Sequence, residues 1–156
     1  MYKRAIFPGT FDPFTLGHLS LVERGLLLFD EIIIAIGVNP DKRTMFSPDE
    51  RLEMISRVLA KESRIRVCSY EGLTIDLAEK ENAGFILRGI RTASDFDYER
   101  TVAKANRKLS GIETVILFAE PEREHISSSV VRELLSWKKP VDDFVPAGMF
   151  EATITD

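Results

Sequence analysis

Residues 32–37 read Ile-Ile-Ile-Ala-Ile-Gly, an unbroken apolar run dominated by β-branched side chains. A strand sends alternate side chains to opposite faces, so a run without polar alternation predicts a strand covered on both sides, as in the middle of a parallel sheet. Towards the N-terminus, Ala5-Ile6-Phe7 predicts a short first strand, and a loop rich in Pro, Gly and Thr follows from Pro8 to Thr15. Leu19, Val22, Leu26 and Phe29 then recur at helical spacing, with Gly17-His18 opening that segment. Towards the C-terminus, Ser47-Pro48-Asp49-Glu50 combines a capping residue, a proline at the first helical position and a glutamate three residues after the cap. That combination predicts a helix start, with Leu52, Ile55, Val58 and Leu59 on the buried face.

The same rhythm continues outward. Strands are predicted at Ile65–Cys68, Phe85–Leu87 and Thr114–Phe118, and helices at Ile75–Glu81, at Ser94–Leu109 with a stop near Gly111, and at Ser128–Trp137 before Pro140. A last short helix is predicted at Phe144–Thr153. Five strands alternating with helices predict an α/β fold: a single-domain, Rossmann-like, doubly wound sheet of five parallel strands with helices on both faces, spanning residues 1–156. Ligands in such sheets bind beyond the carboxyl ends of the strands. The loops to search are therefore those after Phe7, Gly37, Cys68, Leu87 and Phe118.

Composition sets bounds on function. The 156 residues suit one ordinary domain, and 44% apolar with 29% charged residues suits a globular chain. A net charge of −4 with no long basic tract argues against a nucleic-acid coat or a polybasic membrane anchor. One cysteine and two histidines exclude an internal disulfide and a four-ligand zinc site built from those residue types. No window approaches the ~20 apolar residues of a membrane span, and the expectation is a cytoplasmic protein with no nucleic-acid or membrane partner.

The first loop, Pro8-Gly9-Thr10-Phe11-Asp12-Pro13-Phe14-Thr15-Leu16-Gly17-His18, sets a histidine at a helix opening. Unpaired amides and the partial positive charge of a helix N-terminus suit a phosphate, and Gly17 leaves room for one. His18 can donate to a phosphate oxygen as charge builds; the helix N-terminus predicts a neutral imidazole before ligand arrives. Neither Gly-x-Gly-x-x-Gly after the first strand nor Gly-x-x-x-x-Gly-Lys-Ser/Thr is present, which removes the main support for hydride transfer and for the common nucleoside-triphosphatase loop. Lys42 and Arg43 follow the second strand, and Arg88 and Arg91 flank the fourth strand's end, each arginine suited to a different phosphate. Ser127-Ser128-Ser129 precede a helix with more hydroxyls than one cap uses. A Ser-His-acid nucleophile involving His125 lacks an elbow motif, and Asp95, Asp97 and Glu99 sit favourably near a helix N-terminus.

Assembled, these stretches resemble the bacterial phosphopantetheine adenylyltransferase family, within the nucleotidyltransferases that carry an H-x-G-H or T-x-G-H loop and a late I-S-S-S-x-x-R segment. The resemblance rests on residues 4–13, Thr15-Leu16-Gly17-His18, Lys42, Phe46, Arg88-Gly89-Ile90-Arg91, Asp95-Phe96-Asp97-Tyr98-Glu99, Asn106 and Ile126-Ser127-Ser128-Ser129-Val130-Val131-Arg132. It implies transfer of AMP from ATP to 4'-phosphopantetheine, giving dephospho-coenzyme A and pyrophosphate in line, without a covalent enzyme intermediate. It implies catalytic roles for His18, Lys42, Arg91 and Ser129. Thr10, Lys42, Thr74 and Arg88 would bind phosphopantetheine. Thr10, Phe11, His18, Gly89, Ile90, Arg91, Glu99 and residues Glu124, His125, Ile126, Ser127, Ser128, Ser129 and Val130 would bind ATP. It further implies Mg2+ carried by ATP with no protein side-chain ligands, a homohexamer, and coenzyme A as a feedback inhibitor. Thr74 and Glu124-His125 depart from the family's usual residues. The alternatives are another small nucleotidyltransferase, acting on nicotinate mononucleotide or with CTP, and a non-catalytic coenzyme A or nucleotide-binding module. Thr15 in place of the first histidine, with Lys42 and Arg88, speaks against the other transferases.

Overall fold

A computed structural model describes residues 1–150. Its elements alternate in chain order: β1 (Arg4–Gly9), α1 (Leu16–Gly25), β2 (Glu31–Gly37), α2 (Pro48–Val58), β3 (Ile65–Tyr70), α3 (Thr74–Lys80), β4 (Phe85–Ile90), α4 (Ala93–Ser110), β5 (Glu113–Phe118) and α5 (Ser128–Ser136). All strand pairings are parallel, in the order β3-β2-β1-β4-β5. The Ile32–Ile36 run lies between β1 and β3 and is fully buried. Its odd and even members face opposite layers. Ile32, Ile34 and Ile36 join Ala5, Phe7, Val22, Ile55 and Val131 on one face, whereas Ile33 and Ala35 join Ile6, Ile86, Ile75 and Ala78 on the other. Helices α1, α2 and α5 thus pack on the first face and α3 on the second. The Rossmann-like fold read from the sequence is the fold observed.

Boundaries shift for physical reasons. β4 continues through Arg88 and Gly89, which pair with Ile116 and Leu117, so both residues belong to the strand and not to the loop after it. Helix α1 ends at Gly25; Leu26 and Phe29, which extend the helical spacing, lie in the following turn, where Phe29 still packs into the core. The terminal helix expected at Phe144–Thr153 is absent over residues 144–150, which form turns and bends. Pro146 offers no amide and biases its predecessor away from helix, and Gly148 takes a positive φ of 80°. Residues 151–153 of that expectation lie outside the described residues.

The strand order reverses at β1. From there the chain steps outward to β2 and β3, then returns to place β4 on the other side. The carboxyl ends of β1 and β4 therefore flank the switch point where open α/β sheets bind ligands.

Candidate active site

At that switch point lies a cleft of about 440 Å³. Its walls come from the loops after β1, β2, β4 and β5 and from the start of α5; the loop after β3 contributes nothing to it. Among the described residues, six cationic side chains line it: Lys42, Arg43, Arg88, Arg91, Arg123 and Arg132. Among the described residues only Asp12 and Glu120 bring carboxylates to its lining. A chain of net charge −4 thus concentrates positive charge in one concavity, and opposite charge at close range is what such a concavity attracts.

Both carboxylates are already engaged. Asp12 is buried and accepts the Met45 and Phe46 amides at 2.8 and 2.9 Å, with Arg132 Nη1 3.9 Å from its carboxylate. It pins the loop carrying Lys42 and Arg43 to the β1–α1 turn. Glu120 Oε1 accepts the Ser20 hydroxyl at 2.7 Å. Arg51, 2% exposed, donates to the carbonyls of Thr10, Gly37, Phe46 and Ser47, joining three loop ends through one guanidinium. Burial depresses its pKa, and the nearby Asp12 charge opposes that.

The β1–α1 turn is tightly built. Phe11 adopts a positive φ of 51°, an uncommon conformation for an aromatic residue. Its ring covers Gly9 so closely that a Cβ there would sit 2.8 Å from the Phe11 ring. Thr15 caps α1: its hydroxyl accepts the His18 amide at 3.4 Å, and His18 Nδ1 accepts the Thr15 amide at 2.9 Å. An Nδ1 that accepts carries no proton, so the neutral ring holds its proton on Nε2. Phe7, Phe11 and Phe14 surround the imidazole, with ring centroids at 6.2, 4.9 and 5.3 Å. Burial, then the charges of Arg88 and Arg91, push its pKa from 6.5 down to about 3. The neutral imidazole expected from the helix N-terminus agrees with this shift, but burial and the arginine charges are its causes.

Lys42 Nζ donates to Thr10 Oγ1 at 2.9 Å, bringing together two predicted residues 32 positions apart. Arg88 donates to Glu99 through Nε and Nη2 and to the Pro8 carbonyl through Nη1. Each serine hydroxyl at the start of α5 has its own partner. Ser127 accepts the Val130 amide as the cap, Ser128 donates to the Pro13 carbonyl, and Ser129 accepts from Arg132 Nη2. Thr10, Phe11, His18, Lys42, Arg88, Gly89, Ile90, Arg91, Ile126 and the three serines all line the cleft.

Five predicted site residues do not line it. Thr74 shares a hydrogen bond of 2.7 Å with Tyr70 Oη at the start of α3. Glu99 lies behind Arg88. Glu124 and His125 are exposed, His125 packing edge-on against Phe144, and Val130 points outward from α5 at 39% exposure. Asp12, Arg51, Arg123 and Arg132 received no role from the sequence. Arg51 had a readable signal: it occupies a position in register with Met54 and Ile55 on the buried face of α2, where a charge needs a reason. Arg132 had one too, falling one turn after Ser128 and three residues after Ser129. Among the described residues no group of three or more His, Cys, Asp and Glu side chains could hold a metal ion, and no helix is long and apolar enough to cross a membrane.

The sequence profile of the cytidylyltransferase-like family matches residues 6–134. The chain is 55% identical over 147 residues to a phosphopantetheine adenylyltransferase of Phocaeicola vulgatus and 56% identical over 147 residues to one of Bacteroides thetaiotaomicron, with 94% of this chain and 97% of each relative covered. It is 51% identical over 144 residues to one of Flavobacterium johnsoniae, covering 92% and 95%. In fold it is similar to a bifunctional NMN adenylyltransferase/ADP ribose pyrophosphatase from Francisella tularensis, with a TM-score of 0.70 and 19% identity. That likeness covers 93% of this chain and 45% of the longer one.

Proposed function

Because the chain belongs to the phosphopantetheine adenylyltransferase family, a nucleotidyltransferase family, we propose that residues 1–156 form one catalytic domain that transfers AMP from ATP to 4'-phosphopantetheine. The products are dephospho-coenzyme A and pyrophosphate. One observation carries the reading of the site: six cations from four segments converge with His18 on one cleft at the switch point of the sheet. That charge suits two polyanionic reactants held side by side.

Lys42, Thr10 and Arg88 hold the phosphate of phosphopantetheine. Arg91 and the Ser127–Ser129 segment hold the phosphates of ATP, the first-turn amides of α5 adding donors that lack intrahelical acceptors. The attacking phosphate oxygen is already an anion, so no general base is needed. Positioning and charge stabilisation carry the reaction. His18 offers Nε2–H to a non-bridging oxygen of the α-phosphate. A neutral donor suits this role because it stabilises charge without having to gain or lose a proton. The new P–O bond forms as the bond to pyrophosphate breaks, and both electrons leave with pyrophosphate.

Mg2+, brought by the triphosphate, would neutralise charge on its oxygens; the lining carboxylates are spent on amides and on Ser20, which favours substrate oxygens over a protein cage. A cytoplasmic homohexamer inhibited by coenzyme A completes the reading. Exposed Phe96, Tyr98 and Phe118, at 41%, 67% and 71%, support contact between copies. The test is the reverse reaction: purified protein given dephospho-coenzyme A, pyrophosphate and Mg2+ should release ATP and 4'-phosphopantetheine. No ATP above a protein-free control would refute the assignment.

A further inference from the structure

Arg51 belongs to α2 and is 2% exposed, with its guanidinium turned onto backbone carbonyls. A buried cation needs such bonds to offset its lost hydration. Nη1 donates to the carbonyls of Thr10 at 2.7 Å and Gly37 at 3.4 Å, and Nε is shared between those of Phe46 at 3.1 Å and Ser47 at 3.3 Å. Gly37 ends β2 and Ser47 caps α2, so one side chain holds both ends of the loop that carries Lys42. The same guanidinium holds the backbone of Thr10, whose hydroxyl accepts from Lys42 Nζ at 2.9 Å. Asp12 grips the loop as well: the Phe46 amide donates to Asp12 at 2.9 Å while the Phe46 carbonyl accepts from Arg51. The backbones of Lys42 and Thr10 are thus tied together by a residue that hydrogen-bonds to neither side chain.

We propose that Arg51 is a positioning residue for the phosphate of phosphopantetheine, acting through the Thr10–Lys42 pair whose backbones it joins. The inference rests on the reading of Thr10 and Lys42 given under Proposed function. Lys42 is an exposed lysine on a loop, a point charge on a flexible stem. Presented from an untethered loop, it would give up loop freedom as well as its own when a phosphate arrives; with the loop tied at both ends, most of that freedom is lost on folding. The choice of arginine follows from geometry. The four carbonyls come from the β1–α1 turn, the end of β2 and the entry to α2, and a planar fork of N–H donors spans them where the single ammonium of a lysine cannot. Its charge also offsets the partial negative charge that these carbonyls gather beside the phosphate grip.

Arg51→Lys separates fork from charge, because it keeps a cation and removes the planar set of donors. The expected result is a rise of about tenfold or more in the KM for phosphopantetheine, with the KM for ATP changed less than about twofold. Where Thr10→Ala and Lys42→Ala have already removed both side chains, adding Arg51→Lys should cost less than about twofold in kcat/KM for phosphopantetheine, since nothing is left to position. Unchanged phosphopantetheine kinetics in Arg51→Lys would overturn the proposal. So would an equal rise in both KM values, or a full additive loss in the doubly substituted background, either of which marks a merely structural arginine. Lys42→Ala alone reports on the underlying reading. Unchanged phosphopantetheine kinetics there would remove that reading and this inference together, while a loss there beside a silent Arg51→Lys would remove this inference alone. Thermal melts check that each variant folds, and Arg51→Gln, which keeps N–H donors without the charge, is judged by the same criteria if Arg51→Lys does not.

Discussion

At the scale of single residues, His18 joins local structure to chemistry most closely. Its Nδ1 completes the cap of α1, and this fixes which nitrogen is left to donate. His18→Ala removes that donor from the transition state and should lower kcat by about 10²–10³, with the fold retained by far-UV circular dichroism; turnover near the parent value would refute the role. The ring also links pH to stability. In the unfolded chain it titrates near 6.5, whereas the folded protein keeps it neutral down to about 3. Between these values the unfolded state binds the extra proton, so this group's contribution is complete above 6.5 and is lost as pH falls. The slope from this ring is at most about 1.4 kcal/mol per pH unit. His18→Gln should therefore lose less stability than the parent protein between pH 7 and pH 5 in urea titrations; parallel losses would show that the imidazole titrates normally.

At the scale of elements, the β1–α1 turn decides how close a ligand can come to the backbone. Two glycines serve it differently. Gly9 is required by the protein itself, because the Phe11 ring occupies the space of a Cβ. A Cβ on Gly17 would meet only Thr15 Oγ1 at 3.5 Å and the Ile126 carbonyl at 3.9 Å, ordinary contacts. Gly17→Ala should therefore leave the melting temperature unchanged or slightly raised, alanine favouring a helix by roughly 0.5–1 kcal/mol over glycine. It should raise the KM for ATP about tenfold or more, because the new methyl group enters the cleft; an unchanged KM would show that no phosphate approaches Gly17. Elements of this kind were legible wherever one physical signal dominated. The Ile32–Ile36 run announced a central strand, and Ser47-Pro48 announced a helix. The strand character of Arg88 and Gly89 was hidden because neither residue adds to an apolar run; it comes from pairing with β5. The turn after α1 kept the helical spacing because Phe29 tucks under the sheet without being helical.

For the whole molecule, the balance of 21 basic and 25 acidic residues hides the cleft's positive character, and only the placement of Lys42, Arg43, Arg88 and Arg91 at strand ends pointed to it. It arises from topology, which brings the ends of β1, β2, β4 and β5 and the start of α5 to one place. Most predicted residues on those segments meet there, Glu124, His125 and Val130 excepted. Thr74 and His125 are turned to other partners, Tyr70 and Phe144. Asp12 escaped notice because its work is to hold backbone from another loop, a contact with no local pattern in sequence, whereas Arg51 was betrayed only by its register on the buried face of α2. Two anions placed together by such a cleft should react directly, with no enzyme-bound intermediate between them. The stereochemical course of transfer from ATP carrying a chiral α-phosphorothioate to 4'-phosphopantetheine tests this most directly. One in-line displacement predicts inverted configuration at phosphorus in the thio analogue of dephospho-coenzyme A; retained configuration would contradict it.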